Sequence, residues 1–301
     1  KFNAPMVDNE VIFLENDGMV VVEAEYFNKQ SNSETRQWYI TSKEVTLNVG
    51  RDEDEQHHLE ASNNTYVEIL PDTRVTHADK LIKDENFSDE PGKIGVLHYK
   101  VKINNPGRYY VWVRAYSTGS EDNGIHVGLD NEWPKNGQRM QWCEGKNQWT
   151  WESKQRTKEV HCGVPKQIYL DIAKAGIHDI QFSMREDGFE FDKFILTKDS
   201  LYVPKDIGPK VTTLWPLRSY FKQISASVIE NKTLPVDDFP IQGTGFYKHA
   251  GGKWLGINPN KHKKATASTP FTFKSGNYDL VFVAVGENDG QSEFTLQSKK
   301  Y

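Results

Sequence analysis

One pattern recurs from residue 19 to residue 196 and limits what the chain can become. Short runs return an apolar residue at every second position, as in TYVEIL at 65–70, GRYYVWVRAY at 107–116 and FEFDKFIL at 189–196. A period of two sends successive side chains to opposite faces of a strand, whereas an amphipathic helix needs a period of about 3.6. Turn formers separate the runs, Asn105-Pro106-Gly107 and Asp122-Asn123-Gly124 among them, and helical periodicity is nearly absent. The expectation is an all-β chain whose strands close into a sandwich.

With 301 residues there is enough chain for two domains. YVPKDIGPK at 202–210 carries two prolines and a glycine between strand-rich regions and reads as a linker. Residues 1–201 then form the first domain. Residues 211–301 form a small second β-sandwich, minimal or truncated, around NYDLVFVAV at 277–285 and the turn ENDG at 287–290. Within the first domain VTLNV at 45–49 is a further short strand, and 71–93 is a loop long enough to wall a binding site.

A net charge of −5 with no long Lys/Arg run argues against nucleic acid as partner, because phosphate binding needs a basic face. No apolar run approaches the roughly twenty residues that cross a bilayer, so no membrane span is expected. A start at Lys1 instead of Met reads as a mature form or a piece of something longer. Abundant aromatics and few methionines suit a secreted or cell-surface β-protein, expected as a monomer. Only Cys143 and Cys162 are present, too few for a Cys-only zinc site; they are either one disulfide or two buried thiols.

Trp133, Trp142, Trp149 and Trp151 lie within about twenty residues of one another, more indoles than one strand pair needs for its core. Indole faces stack on sugar rings, and Arg139 and Arg156 beside them can pair with oxyanions or stack on aromatics. Trp133, Trp142, Trp149, Arg139 and Arg156 are therefore candidate ligand contacts, with Tyr116, Asn123 and His126 at the ends of the preceding hairpin completing the wall. The partner expected is a polysaccharide, bound without catalysis. Two catalytic alternatives use the same loops: Tyr116, His126 and Arg139 for β-elimination in a uronic acid polymer, or Glu152 and Glu186 as a glycosidase pair. A third alternative is an adhesive domain that binds an extracellular protein. The His57-His58 pair reads as surface histidine without a role.

Glu23 and Glu25 stand two apart on the run MVVVEAEYF at 19–27, so both carboxylates project the same way and repel unless a cation lies between them. VEAEYF at 22–27 within that run, PGRYYVWVRAY at 106–116, WTWES at 149–153 and AGIHDIQFSMREDGFEFDKFIL at 175–196 together resemble, in order and spacing, the calcium-containing jelly-roll carbohydrate-binding modules of families 6 and 35. The resemblance implies a jelly-roll β-sandwich with a structural Ca2+ held by Glu23, Glu25 and Asp192. It also places Glu190 where family 6 modules commonly carry a sugar-binding Asn. The segment 275–296 resembles small β-sandwich modules appended to polysaccharide-degrading enzymes of marine bacteria, which sets the context of an ancillary region.

Overall fold

The computed structural model describes residues 5–43, 49–52 and 55–215, and the backbone of 241–242, 246–249, 254–257 and 266–267. The chain divides into two compact units, Lys1–Gln223 and Ile224–Tyr301. In the first, the strands in chain order are β1 (Ile12–Leu14), β2 (Met19–Glu23), β3 (Lys29–Ser31), β4 (Gln37–Ser42), β5 (Thr65–Leu70), β6 (Val96–Ile103) and β7 (Gly107–Tyr116). They continue with β8 (Gly124–Leu129), β9 (Met140–Gln141), β10 (Thr150–Glu152), β11 (Tyr169–Ile172), β12 (Gly176–Met184), β13 (Glu190–Thr197) and β14 (Leu214–Trp215).

Two sheets face each other. One runs β14-β1-β6-β12-β8-β9 with β3 also on β6; the other runs β10-β7-β13-β5-β4 with β11 also on β7 and β2 on β13. Strands adjacent in sequence, β6 and β7 or β12 and β13, fall in opposite sheets, so the chain repeatedly crosses the sandwich as a jelly roll does. The described regular structure is strand with short 3-10 turns, as the period-two pattern requires.

Alternation decides what meets in the middle. Leu97, Tyr99 and Val101 of β6 and Ile180 and Phe182 of β12 face Val111 and Val113 of β7 and Phe191 and Phe194 of β13, all buried in one cluster. The rings pack edge-on or tilted, with Tyr99 and Phe194 centroids 4.9 Å apart and Phe182 and Phe191 4.8 Å apart. The Tyr99 hydroxyl would be costly in this core without a partner, and it donates to the Ala24 carbonyl at 2.7 Å.

Two sequence expectations change. The strand predicted over 19–27 ends at Glu23, where a 3-10 turn (Ala24–Tyr26) begins, so Glu25 is not on the strand. The segment 202–210, expected as a free linker, is strapped to the first unit. Trp151 Nε1 donates to the Asp206 carbonyl and Lys193 Nζ to the Ile207 carbonyl, both at 3.0 Å, and β14 then pairs with β1. Proline and glycine there mark irregular backbone, and its carbonyls still find donors. Cys143 and Cys162 are joined in a disulfide with Cα atoms 5.4 Å apart. In the second unit the described backbone forms two antiparallel pairs, 241–242 with 266–267 and 246–249 with 254–257. The strands expected at 45–49 and 277–285, the turn at 287–290 and the small sandwich they imply lie largely outside the described residues.

Candidate functional site

Loops of the first unit bring Arg139, Arg156 and Arg185 close enough for their charges to act on one another. Arg139 lies immediately before β9 in the left-handed conformation, φ 56°. Its N–H donates to His126 Nδ1 at 3.0 Å, and its carbonyl accepts from the Arg156 N–H at 2.9 Å. The two arginines are thus held by backbone contacts, which leaves both side chains disposable for something else. His126, on β8, is fully buried and donates from Nε2 to the Ser88 carbonyl at 3.2 Å. Accepting at one ring nitrogen and donating at the other defines the neutral imidazole. Burial pushes its pKa down to about 3, helped by the nearby Arg185 and Arg139 charges. His126 is therefore a post for the Arg139 loop, and the proton-transfer and ligand-wall roles expected of it do not suit a sealed neutral ring.

Arg185 backs the pair. It is 3% exposed, its guanidinium lies 5.1 Å from the centre of the Phe87 ring, and it pairs with Glu186 while its Nε has no hydrogen-bond partner. Arg139 and Arg156 are half-buried, and among the described residues neither guanidinium makes a hydrogen bond or ion pair. Burial lowers the pKa of each, and so does the Arg185 charge. Proteins neutralise such crowding when they can, and here Glu186 and Asp89 offset it only in part. Several guanidiniums with donors to spare suit a carboxylate, sulfate or phosphate oxygen set.

The remaining candidates separate from this group. Trp142 is 1% exposed and packs in the core against Phe189, ring centres 5.1 Å apart, so it presents no face to a sugar. Trp149 is 8% exposed, donates from Nε1 to the His57 carbonyl at 3.0 Å, and packs with Tyr66 and Tyr116. His57 stacks on Tyr116 at 3.6 Å and places Nδ1 2.7 Å from Glu190 Oε1, so this histidine has a structural role that the sequence concealed. Glu190 itself stands opposite Glu68 and Tyr116 on the neighbouring strands. Trp133 is half-buried and wedged against Gly92 and Gly128, neither of which has room for a Cβ beside the indole. Asn123 is buried, its N–H donating to Glu186 Oε2 at 3.0 Å, and it braces the loop. Glu152 pairs with Lys154 at 2.7 Å and Glu186 with Arg185, so each member of the proposed glycosidase pair has its own cation. Arg185 and Phe87 went unnoticed in the sequence, where Arg185 opens the charge-dense turn Arg185-Glu186-Asp187-Gly188 between β12 and β13.

Glu23, Glu25 and Asp192 are buried near one another, the Asp192 charge acting on both glutamates and that of Glu23 on Glu25. Asp192 is fully engaged, Oδ1 by the Ser62 N–H at 2.8 Å and Oδ2 by Arg114 Nη1 at 2.6 Å. Glu23 Oε1 takes Lys193 Nζ and Ser62 Oγ, each at 3.0 Å. Glu23 Oε2 and Glu25 Oε2 are buried without hydrogen-bond partners. Burial, then the Glu23 charge, raises the Glu25 pKa well above the carboxylate range. The two orphaned oxygens fit a hard cation, while both Asp192 oxygens already accept a hydrogen bond; among the described residues no three acidic, His or Cys side chains are disposed to hold a metal.

No helix among the described residues is long and apolar enough to cross a membrane. Residues 53–210 match the glycosyl hydrolase family 115 C-terminal domain. The uncharacterized protein P23 of Formosa agariphila is 58% identical over 304 residues, an alignment that covers 98% of this chain and 73% of P23. A family 35 carbohydrate-binding module from Clostridium thermocellum is 14% identical, with a TM-score of 0.32 over 59% of this chain and 96% of that one. The GH26-CBM35 β-(1,4)-mannanase of Podospora anserina is 16% identical, with a TM-score of 0.33 over 65% of this chain, which spans only 31% of the mannanase. Likenesses that distant carry nothing about ligand or mechanism, whereas the match over 53–210 takes in the arginine loops and the strands that position them. The chain belongs to the glycosyl hydrolase family 115 C-terminal domain family.

Proposed function

We propose that the first unit binds an anionic polysaccharide without cleaving its glycosidic bonds, holding carboxylate or sulfate substituents with Arg139 and Arg156 and with Arg185 behind them. The observation that carries this reading is the pair of half-buried guanidiniums left without a hydrogen bond or ion pair while a third, buried arginine crowds them. A free-standing fold gains nothing from that arrangement, and an arriving oxyanion relieves it. Membership in a family of C-terminal domains of glycosyl hydrolases supports an ancillary role beside a catalytic region. An anionic algal galactan is the first polymer to test, and the disulfide supports a secreted or cell-surface setting. Affinity electrophoresis against agar, carrageenan, alginate, xylan and cellulose is the direct experiment. Retardation by the charged polymers alone, weakened by salt and lost in Arg156→Ala, is the expected result. Equal retardation by neutral xylan or cellulose, or release of reducing ends, would overturn it.

We also propose a structural Ca2+ at Glu23 and Glu25, with Asp192 alongside as part of the local acidic set. Its support is the two orphaned carboxylate oxygens, and the remaining ligands of such an ion would be carbonyls or water.

A further inference from the structure

The outer face of the β6 sheet carries an arrangement that the glycan-binding reading does not use. β3, β6 and β12 lie side by side there, with Lys29 opposite His98 and Gln181 opposite His98 on the other flank. Ser31 and Asp179 are each two residues further along on that face, so a diagonal crosses three strands. Along it, Ser31 Oγ is 2.7 Å from His98 Nε2, and His98 Nδ1 is 2.7 Å from Asp179 Oδ2. An ionised carboxylate only accepts, so Nδ1 carries the proton and the Nε2 lone pair faces the Ser31 hydroxyl. His98 is 5% exposed, which holds the ring in that orientation.

A cleft of about 240 Å³ opens beside this row, lined by Lys29, His98, Lys100, Ile177, His178 and Asp179 among others. Ile177 offers it an exposed apolar wall. Lys29 is the cation nearest in the sheet register to His98, and among the described residues its ammonium has no hydrogen bond or ion pair. A hydroxyl, a base oriented by a carboxylate and an uncommitted positive charge are therefore adjacent, and the cleft reaches the row at His98, Asp179 and Lys29.

We propose that Ser31, His98 and Asp179 form a nucleophilic site that hydrolyses short-chain carboxylic esters of hydroxylated compounds. Ser31 Oγ adds to the acyl carbon as its proton passes to His98 Nε2, and the carbonyl electron pair moves onto oxygen, where Lys29 faces the new negative charge. Collapse breaks the ester C–O bond, and the alcohol leaves with the proton from His98. Water then adds to the acyl-serine, giving its proton to His98; release of the acid returns that proton to Ser31. Asp179 does not change protonation state, and orients the ring as a positioning residue.

The test uses the full chain with 4-nitrophenyl acetate and with a fluorophosphonate probe, the labelled position being read by peptide mass mapping. The expected result is covalent labelling at Ser31, hydrolysis reduced to the buffer background in Ser31→Ala, and a fall of about 10²-fold in kcat for Lys29→Met, as for loss of one oxyanion donor. Ser31→Ala removes a single partly exposed oxygen and should fold normally, so it stays informative even where His98→Gln does not fold. No labelling, labelling elsewhere, or an unchanged rate in Ser31→Ala would overturn the proposal and leave the row a hydrogen-bonded strut between strands.

Discussion

Nδ1 of His126 accepts the backbone N–H of Arg139 at 3.0 Å, so the loop that presents the arginine pair hangs on a buried ring that must stay neutral. Protonation would place a second donor against the Arg139 N–H and a charge beside Arg185. Site and fold are therefore coupled through one titratable group.

Acid should expose that coupling. With the folded-state pKa held near 3, the unfolded chain binds a proton at His126 that the folded chain refuses, so stability rises with pH through the interval between them. It falls as the pH drops below the unfolded value of about 6.5, by up to about 1.4 kcal/mol per unit from this residue. Chemical denaturation of the wild type and His126→Gln from pH 7 to pH 5 measures it. The variant should show the shallower slope, and parallel slopes would sink the assignment.

Arg156→Ala should separate stability from binding. Burial and the Arg185 and Arg139 charges disfavour its charged form in the folded chain, so truncation is expected to leave the melting temperature unchanged or raise it. Binding of a charged glycan should weaken by about 10- to 100-fold, the loss of one or two charge-assisted hydrogen bonds. Calorimetric titration beside a melt reads both. A destabilised variant would mean that the guanidinium serves the fold.

At the acidic trio the pH dependence has the opposite sign. Glu25, its pKa raised by burial and by Glu23, binds its proton more tightly folded than unfolded. Its contribution is full below the unfolded value of about 4.3 and is lost as the pH rises through the folded one. In a chelator at pH 8, Glu25→Gln should therefore melt higher than the wild type. Millimolar Ca2+ should stabilise the wild type and leave the variant unmoved. Equal response of both proteins to Ca2+ would count against a metal at this position.

Trp142→Ala should act on the fold. Removing an indole that is 1% exposed and packed on Phe189 is expected to cost about 3–5 kcal/mol by transfer and cavity terms. Urea denaturation gives the value directly, and a loss below about 1 kcal/mol would return Trp142 to the surface.

Much was legible in the residues themselves. Alternation along 96–103, 107–116 and 189–196 determined the strands, which side chains enter the core and the sandwich class, because a period of two leaves no other way to bury one face. Charge and residue type also made Arg139 and Arg156 candidates for the proposed ligand contacts. The tertiary structure alone decided which neighbours those residues have. Trp142 reads as an exposed loop indole until its turn folds back onto Phe189, and 202–210 reads as a free linker until Trp151 and Lys193 capture its carbonyls. Arg185 reaches the arginine pair from the end of a different strand, and Ser31, His98 and Asp179 align only once β3, β6 and β12 are paired. Local pattern sets where a side chain points along its own strand. Register and loop closure between distant segments set what it meets, and those are decided by the packing of the whole sandwich.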